Sequence, residues 1–366
     1  MKTTHQLLLK GNEALAMAAI RYGCDGYFGY PITPQTEILE TLMSERPWKT
    51  TGMVVMQVES ELAAINMLLG GGATGKRVMT STSGPGMSLM QEGLSYMAGS
   101  SIPGLIVDVM RGGPGLGTIQ PSQADYFQVI KGGGHGDYKL FTIAPSNVQE
   151  MADFVAIAFD WAFKYRNPAV ILADGTIGQM MEKVELPEFR PRMTDDEIYE
   201  QYPWAATARG ARQKQRILSS LELDPLAMEK NNLDRLAKYA KAEAEDVRYE
   251  EIQCDDAQVI VVAFGSAARI CSKTVQIARQ QGIRLGLIRP ITLWPFPKQR
   301  LQELARSAQG FITVELNAGQ MVEDVRLAVG SNLQVEHYGR MGGVVFTPEE
   351  ILDATLKFFP QLKPNA

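Results

Sequence analysis

The stretch Val54-Val55-Met56-Gln57-Val58-Glu59-Ser60-Glu61-Leu62-Ala63-Ala64-Ile65-Asn66-Met67-Leu68-Leu69 decides the fold. Its first five residues form an apolar run of strand length, and the residues from Leu62 onward favour a helix. Glu61 stands at the junction between the two. We therefore expect a carboxylate held at the end of a buried strand, where it can touch a flat heteroaromatic ring.

Glu61 also has an ordinary interpretation, because an acid at a helix N-terminus is favoured by the helix dipole. Glu59 is a rival at the same junction. Small and flexible side chains follow Glu61 at three-residue steps: Ala64, Met67 and Gly70. Large apolar side chains follow Glu59 at the same steps: Leu62, Ile65 and Leu68. The first set predicts a face that packs closely and holds its acid still, so we prefer Glu61.

Helix-like and strand-like segments alternate outward from this junction, from Gly11 to about Asp174. The expected strands are 27–29, 54–58, 78–80, 105–110, 141–144 and 168–173. Ser146 and Gln149 have capping-box spacing for the helix that follows the fifth of these strands. Strands that alternate with helices predict an α/β fold, with a parallel sheet covered on both faces.

The composition of the sequence changes after this first unit, and three regions are predicted: 1–186, 187–255 and 256–366. The middle region is a charged, partly helical linker that includes the basic stretch 209–216. The last region is a smaller α/β domain with strands at 259–264, 285–288 and 311–314. Its final helix begins at Thr347, which a proline and a capping-box glutamate follow.

The bulk composition excludes several classes of protein. The 366 residues are 45% hydrophobic and 21% charged, which is typical of a globular protein with a sizeable core. A net charge of −5 argues against a nucleic-acid surface. No apolar stretch approaches a membrane span, and residues 1–5 do not open a secretion signal. We therefore expect a cytoplasmic protein with no nucleic-acid or membrane partner.

Cysteine and histidine offer little metal-binding capacity. Cys24, Cys254 and Cys271 are far apart and form no C-x-x-C pair, so we expect three buried thiols. The chain has only three histidines. We therefore predict no metal site in this chain.

Two glycine-rich stretches fall short of nucleotide-binding motifs. Residues 70–77 nearly form a P-loop, but Arg77 replaces the magnesium-binding hydroxyl and the glycines follow a helix. We expect those glycines to end that helix. Residues 112–117 do not have dinucleotide-binding spacing, and Pro114 lacks the N–H that a phosphate nest would use. A shaped active-site loop is the better interpretation.

Two polar residues are candidates for ligand binding. Arg111 follows the strand 105–110 at its carboxyl end, where ligands of parallel sheets gather, and guanidinium pairs well with a carboxylate. A solvent-exposed ion pair is an equally weighted alternative. Thr33 lies between two prolines in Tyr30-Pro31-Ile32-Thr33-Pro34, so its hydroxyl is presented by a rigid loop. It could contact substrate, cap the next helix with Pro34 at the first helical position, or do both.

Taken together, these segments resemble the 2-oxoacid:ferredoxin oxidoreductase family, in particular the alpha-type subunit with the pyrimidine-binding domain. The matching stretches are Tyr30 to Pro34, Glu59 to Ala64, Thr82-Ser83-Gly84-Pro85-Gly86, Arg111 to Pro114, Gln123-Ala124-Asp125 and Arg289 to Pro297. The last stretch is similar to a transketolase C-terminal-like domain. The resemblance covers nearly the whole chain.

The resemblance implies thiamine diphosphate as cofactor, with its pyrimidine half bound by this chain. Glu61 would hydrogen-bond the pyrimidine N1′ as the catalytic acid. Arg111 and Thr33 would bind the substrate. The cofactor-binding residues would also include Pro31, Ile32, Ser83 and Gly84.

The resemblance also implies partners. Thiamine enzymes bind Mg²⁺ and the diphosphate through Gly-Asp-Gly followed by Asn, whereas this chain has Ala173-Asp174-Gly175 and its only Asn pair lies in the linker. A beta-type subunit is therefore expected to carry the Mg²⁺ and a [4Fe-4S] cluster. Gamma and small ferredoxin-like subunits, ferredoxin and coenzyme A complete the expected set.

Several functions remain open at this point. The stretches 115–117 and 120–126 look most like the branched-chain (2-oxoisovalerate) members, and the 2-oxoglutarate members are the first alternative. A nicotinamide-dependent dehydrogenase would need a glycine fingerprint that is missing. A scaffold subunit with a vestigial pocket is the non-enzymatic alternative.

Overall fold

The computed structural model describes residues 6–207 and 216–362. Residues 1–5, for which no secretion signal was predicted, and most of the basic stretch 209–216 lie outside the described residues. Within them, the chain forms two sheets flanked by helices, together with a two-stranded ribbon. This confirms the predicted α/β class. No helix in the described ranges is long and apolar enough to cross a membrane.

The strands are β1 Gln6–Lys10, β2 Gly26–Gly29, β3 Val54–Gln57, β4 Val78–Thr82, β5 Gly104–Met110, β6 Phe141–Ile143, β7 Pro168–Asp174, β8 Met181–Glu185, β9 Tyr249–Ile252, β10 Val259–Val262, β11 Leu285–Pro290, β12 Thr292–Trp294, β13 Gly310–Glu315 and β14 Gln334–Gly339. The helices are α1 Gly11–Arg21, α2 Thr36–Glu45, α3 Pro47–Thr50, α4 Glu61–Ala73, α5 Pro85–Gly99, α6 Tyr126–Ile130, α7 Val148–Tyr165, α8 Gly175–Gln179, α9 Asp195–Gln201, α10 Pro225–Glu245, α11 Gly265–Gln280, α12 Lys298–Leu304, α13 Met321–Val329 and α14 Pro348–Phe358, with a 3₁₀ turn at Pro360–Leu362.

The larger sheet has the order β12-β6-β7-β5-β4-β2-β3. Every neighbouring pair is parallel except β12–β6. Strands β4, β5 and β7 are buried along their whole length, which agrees with the mostly apolar sequences of β5 and β7, whereas β4 also buries Thr80, Ser81 and Thr82. Parallel strands place the residues that follow them at one edge, so the segments after β2, β4 and β5 converge there.

The smaller sheet has the order β14-β13-β10-β11-β9, and only β9 is antiparallel to its neighbour. Strand β9 lies inside the segment expected to be a linker. Its charged sequence is not typical of a strand, but its two acids form ion pairs. Glu250 contacts Arg289 at 3.0 Å, and Glu251 contacts Arg300 at 2.5 Å. The cross-strand pair with Arg289 of β11 and the pair with Arg300 of α12 stabilise a strand that hydrophobic patterning cannot reveal.

Strand β12 belongs by sequence to the second unit but pairs with β6 of the larger sheet. Trp294 at its end packs edge-on against Phe141 and Tyr239, with ring centroids 5.0 and 5.2 Å apart. Tyr239 comes from α10, the long helix in the middle region. These aromatic contacts join all three parts of the chain.

Several predicted helix ends are wrong, and one is confirmed. The cap of α7 is Asn147, which accepts from the amide of Glu150, and is not Ser146. Helix α4 runs through the three glycines instead of ending at them. The helix ends at Ala73, and Gly75 follows two residues later with a φ of +78° that suits glycine. The capping box at Thr347 is present as predicted.

Candidate functional site

Glu61 is the first residue of α4, where Ser60 caps the helix by accepting from the amide of Ala63 at 3.2 Å. Glu61 is buried (5% exposed), whereas Glu59 is exposed. This difference agrees with the preference for Glu61. The strand that leads to it is not buried as expected, because β3 is an edge strand whose Val54 and Met56 are largely exposed.

The Glu61 carboxylate lies over the first turn of α5. A Cβ added at Gly86 would stand 2.5 Å from its Oε1 and 2.2 Å from the Thr82 hydroxyl oxygen, so only glycine fits there. Within the described ranges, the Glu61 carboxylate has no hydrogen-bond or ion-pair partner. The hydroxyls of Thr82 and Ser83 are also buried without a hydrogen-bond partner. Three polar groups whose bonding capacity is unused are unusual in a protein interior and indicate a ligand surface.

Hydrogen bonds from side chains of α1, α8 and β4 hold the loop that contains Thr33. Asn12 and Gln179 donate to the carbonyl of Pro34 at 2.7 and 2.9 Å. Gln35 accepts from Ser81 at 2.6 Å. Pro31 and Ile32 are half-buried and Thr33 is exposed. Helix α2 begins only at Thr36 with Gln35 as its cap, so the predicted Thr33 cap with Pro34 at the first helical position is wrong.

Arg111 is buried at the end of β5, so the interpretation as a solvent-exposed ion pair is wrong. Its Nη1 donates to the carbonyl of Thr33 at 2.9 Å and its Nη2 to the carbonyl of Leu116 at 3.0 Å. The Nε has no partner, and no carboxylate of the described residues lies within ion-pair distance. A buried guanidinium that donates hydrogen bonds only to neutral carbonyls, and whose Nε is still free, is suited to bind an anion.

These predicted residues form one chain of contacts. Arg111 donates to the Thr33 loop, and its side chain passes close to Gly84, where an added Cβ would stand 3.6 Å from the Arg111 Cγ. Gly84, with a φ of +44°, leads into α5, and Gly86 lies beneath Glu61. The structure therefore links Thr33, Arg111, Gly84 and Glu61 through neighbouring groups, and Pro31, Ile32 and Ser83 adjoin them along the chain.

A cavity of 620 Å³ opens on the other side of Arg111, between the two units. Glu61 and Thr33 are not part of its wall. The lining residues come from both units: Gly84, Pro85, Ser88, Arg111, Gly112, Gly113, Pro114, Gly115, Ser122, Ala124, Asp125, Gln128, Asn317, Ala318, Gln320, Met341 and Gly342. Residues 112–115 of the glycine-rich loop thus form part of the wall of this cavity, and the interpretation as an active-site loop stays a prediction.

Gln123 fixes the two units around this cavity. Its side chain donates to the carbonyl of Phe264 at 2.8 Å and accepts from the amide of Leu316 at 3.0 Å. Its backbone carbonyl accepts from Asn317 at 2.8 Å. Asp174 forms a second connection, since it accepts from the amide of Ser266 at 2.8 Å while capping α8. Asp174 therefore has a structural role.

Asp108 and Asp125 form a buried carboxyl pair behind Arg111 that sequence reasoning missed. Asp108 is fully buried on β5, and its carboxyl group contacts that of Asp125. Burial, together with the charge of Asp125, raises the pKa of Asp108 well above its usual range. Burial also raises the pKa of Asp125 to about 6. Two contacting buried carboxyls cannot both ionise at low cost, so the pair shares a proton.

Asp108→Asn is expected to remove a pH dependence of stability. The folded pair retains a proton that the unfolded chain releases above about pH 4, so the free energy of unfolding falls as pH rises through 6 and beyond. An amide at position 108 can donate to Asp125 without titrating. We expect the variant to gain about 1 kcal/mol or more relative to wild type at pH 8, and much less at pH 4.

The measurement is urea denaturation of both proteins at several pH values between 4 and 8. Asp137→Asn, at an exposed loop position, is the matched control and should leave the wild-type pH profile unchanged. A wild-type profile retained by Asp108→Asn would refute the shared proton.

Known proteins were compared with the chain. Residues 17–224 match the family described as pyruvate flavodoxin/ferredoxin oxidoreductase, thiamine diphosphate-binding, and residues 257–351 match pyruvate:ferredoxin oxidoreductase core domain II. The ketoisovalerate oxidoreductase subunit VorB of Methanothermobacter marburgensis is 47% identical, over 94% of this chain and 96% of that protein. The 2-oxoglutarate synthase subunit KorA of the same organism is 35% identical, over 96% and 98%.

Two solved structures are also similar to this chain. A 2-oxoglutarate:ferredoxin oxidoreductase from Magnetococcus marinus, with 2-oxoglutarate, coenzyme A and succinyl-CoA bound, has a TM-score of 0.86 and 27% identity, over 98% of this chain and 66% of that one. A split-gene transketolase, in an inactive beta4 tetramer, has a TM-score of 0.60 at 12% identity over 97% of this chain and 99% of that one, which shows the shared fold.

Fold and family matches together define a subunit of a thiamine diphosphate-dependent oxidoreductase that acts on 2-oxo acids. The chain belongs to the 2-oxoacid:ferredoxin oxidoreductase family, as the sequence motifs predicted, and is one subunit of a multi-subunit enzyme.

Proposed function

We propose that the substrate of the assembled enzyme is a branched-chain 2-oxo acid such as 2-oxoisovalerate, which is converted to its acyl-CoA while ferredoxin is reduced. One observation supports this choice over 2-oxoglutarate. Both subunits named for ketoisovalerate are 47% identical to this chain, and the subunits named for 2-oxoglutarate reach 35%, with nearly full coverage in both cases.

Glu61 is proposed to bind the pyrimidine N1′ of thiamine diphosphate. When bound, this cofactor supplies the nucleophilic carbon and the electron sink for decarboxylation. The fit rests on the free Glu61 carboxylate, the two free hydroxyls of Thr82 and Ser83, and the glycine at position 86. Pro31, Ile32 and Gly84 would shape the remainder of the pyrimidine pocket. The chain's own contribution is to hold a proton-exchanging carboxylate at a fixed place.

Arg111 and Thr33 are proposed to bind the substrate. The Arg111 charge lacks a carboxylate partner among the described residues, so a substrate carboxylate would supply one. Thr33 is exposed next to it, and its carbonyl already fixes the guanidinium. The two carbonyl contacts of Arg111 would orient the group before substrate arrives.

A second, beta-type subunit is proposed to complete the site, to cover Glu61 and to hold the diphosphate, Mg²⁺ and a [4Fe-4S] cluster. The support is the surface around Glu61, where large apolar side chains stay exposed along β3 and its surroundings: Tyr30, Val54, Met56 and Leu62. Exposed large apolar side chains gathered near one site are typical of a subunit interface. Gamma and small ferredoxin-like subunits and a cytoplasmic location belong to the same proposal.

We further propose the domain limits 1–186 and 256–366 for the two α/β units. Strand pairing departs from these limits in two places. Strand β9, at 249–252, belongs to the smaller sheet, and β12 pairs with β6 of the larger sheet.

A 2-oxoglutarate-specific enzyme is the second candidate, since the solved structure with a TM-score of 0.86 has 2-oxoglutarate bound. The complex should therefore be reconstituted from all its subunits, and its turnover compared on 2-oxoisovalerate, pyruvate and 2-oxoglutarate with ferredoxin as acceptor. We expect kcat/KM for 2-oxoisovalerate to exceed the other two values by about tenfold or more. A preference for 2-oxoglutarate would overturn the substrate assignment, and no turnover on any of the three would overturn the proposed reaction.

A further inference from the structure

A second cavity, of 520 Å³, lies at the opposite edge of the larger sheet. Its walls are the C-terminal ends of α5 and α7, which directly precede β5 and β7, and one side of α10. Arg111 follows the other end of β5, seven residues along, so about 20 Å of strand separates the two places. This second cavity is thus outside the site already described.

The second cavity is strongly basic in a chain with a net charge of −5. Its charged lining residues are Lys164, Arg166, Asp234, Arg235, Lys238 and Lys241. The one acid is already engaged, because Lys230 contacts the Asp234 carboxylate at 2.9 Å. Five cations therefore face this cavity with no free carboxylate in its wall.

Three of these cations form an unneutralised cluster. Lys164 pairs with Asp246 at 2.8 Å, and Lys241 lies near Glu245. In contrast, Arg166, Arg235 and Lys238 have no carboxylate partner in residues 6–207 and 216–362. Arg235 is 9% exposed, and its Nε lacks any hydrogen-bond partner. Like charges gathered in a partly buried place are costly unless an anion compensates them.

Helix ends compensate for only part of this charge. Arg235 donates to the carbonyl of Gly99 at 3.2 Å, Arg166 to that of Ser101 at 3.1 Å, and Lys238 to that of Arg166 at 3.1 Å. Each helix C-terminus is worth about half a negative charge, so two of them cannot balance three cations. Consistent with this deficit, burial and the charges of Arg235 and Arg166 lower the pKa of Lys238 to about 7.

We propose that this second cavity is a binding site for a phosphate-bearing anion, held by Lys238, Arg235 and Arg166. A phosphoryl dianion would supply the missing negative charge and accept from several donors at once, which a single carboxylate does less well. The seryl hydroxyls of Ser100 and Ser219 line the same cavity and can donate to further phosphate oxygens. Free phosphate and the phosphates of a nucleotide share this chemistry.

The test is calorimetric titration of the full chain, purified with its partner subunits, with inorganic phosphate and separately with ADP at pH 6.5. We expect at least one of these anions to bind the wild type and to bind Lys238→Met about tenfold more weakly, because one charge-assisted hydrogen bond is lost. Lys238→Arg keeps the charge and should retain most of the affinity. Tighter binding of phosphate would indicate free phosphate, and tighter binding of ADP a nucleotide.

Lys183→Met is the control for simple loss of one positive charge, since Lys183 is exposed on β8, which contacts the first turn of α7, whereas the cavity lies at the last turn of that helix. It should bind like the wild type. Equal affinities of Lys238→Met and Lys183→Met would overturn the proposal. Failure of the wild type to bind either anion would also overturn it and would favour an acidic protein segment as the occupant.

Discussion

Glu61→Gln is expected to leave the assembled enzyme intact and to lower its turnover number by about 10²- to 10⁴-fold, the usual contribution of one acid–base group. The amide has the same shape and can still fill the space over Gly86. It cannot exchange a proton with the pyrimidine, and every later step depends on that exchange. The measurement is steady-state reduction of ferredoxin by the reconstituted complex with saturating substrate and coenzyme A.

Glu59→Gln is the matched control, because Glu59 lies two residues earlier, carries the same charge and is exposed. It should retain turnover within a few-fold of wild type. Size-exclusion chromatography of both variants separates loss of chemistry from loss of assembly. Turnover by Glu61→Gln equal to that of the control would contradict the catalytic role and would favour a scaffold subunit.

Arg111→Ala is expected to raise KM for the 2-oxo acid by about ten- to a hundredfold, the range for a lost charge-assisted hydrogen bond. The carboxylate contact forms before the chemistry, so the effect should appear mainly in KM. The side chain also holds the carbonyls of Thr33 and Leu116, so some loss of turnover should accompany it. The measurement is the full dependence of rate on substrate concentration.

Thr33→Val separates these two effects. It removes the hydroxyl but keeps the backbone carbonyl that receives the Arg111 hydrogen bond, so KM should rise by less than for Arg111→Ala. If Arg111→Ala lowered the turnover number and left KM unchanged, Arg111 would not bind the substrate. Its role would then be to hold the loops that contain Thr33 and Leu116.

The sequence predicted well the strands that form because their side chains are buried. Strands β5, β7 and β10 are mostly apolar and each is fully buried; the charged exceptions are Asp108 in β5 and Asp174 at the end of β7. Local chemistry was less predictable. The cap of α7 could have been Ser146 or Asn147 on spacing, and only the tertiary path of the chain decides between them. Strand β9 needed knowledge of Arg289 and Arg300, which lie far along the sequence.

The site was predictable to the extent that motifs mark loops at strand ends. Thr33, Glu61, Ser83, Gly84 and Arg111 each follow a strand or begin a helix. Asp108 was missed because one carboxylate within an apolar strand gives no periodic signal, and its partner is found only in three dimensions. The structural role of Gln123 was likewise hidden, although its stretch was recognised as a motif.

The central claim is that this chain supplies the carboxylate that binds the pyrimidine in a thiamine pocket completed by another subunit. The most direct measurement is an experimental structure of the assembled enzyme with thiamine diphosphate bound. We expect a Glu61 carboxylate oxygen about 2.7 to 3.0 Å from the pyrimidine N1′ at a subunit boundary. A Glu61 side chain directed away from the cofactor, or a cofactor bound wholly within one other subunit, would contradict the claim.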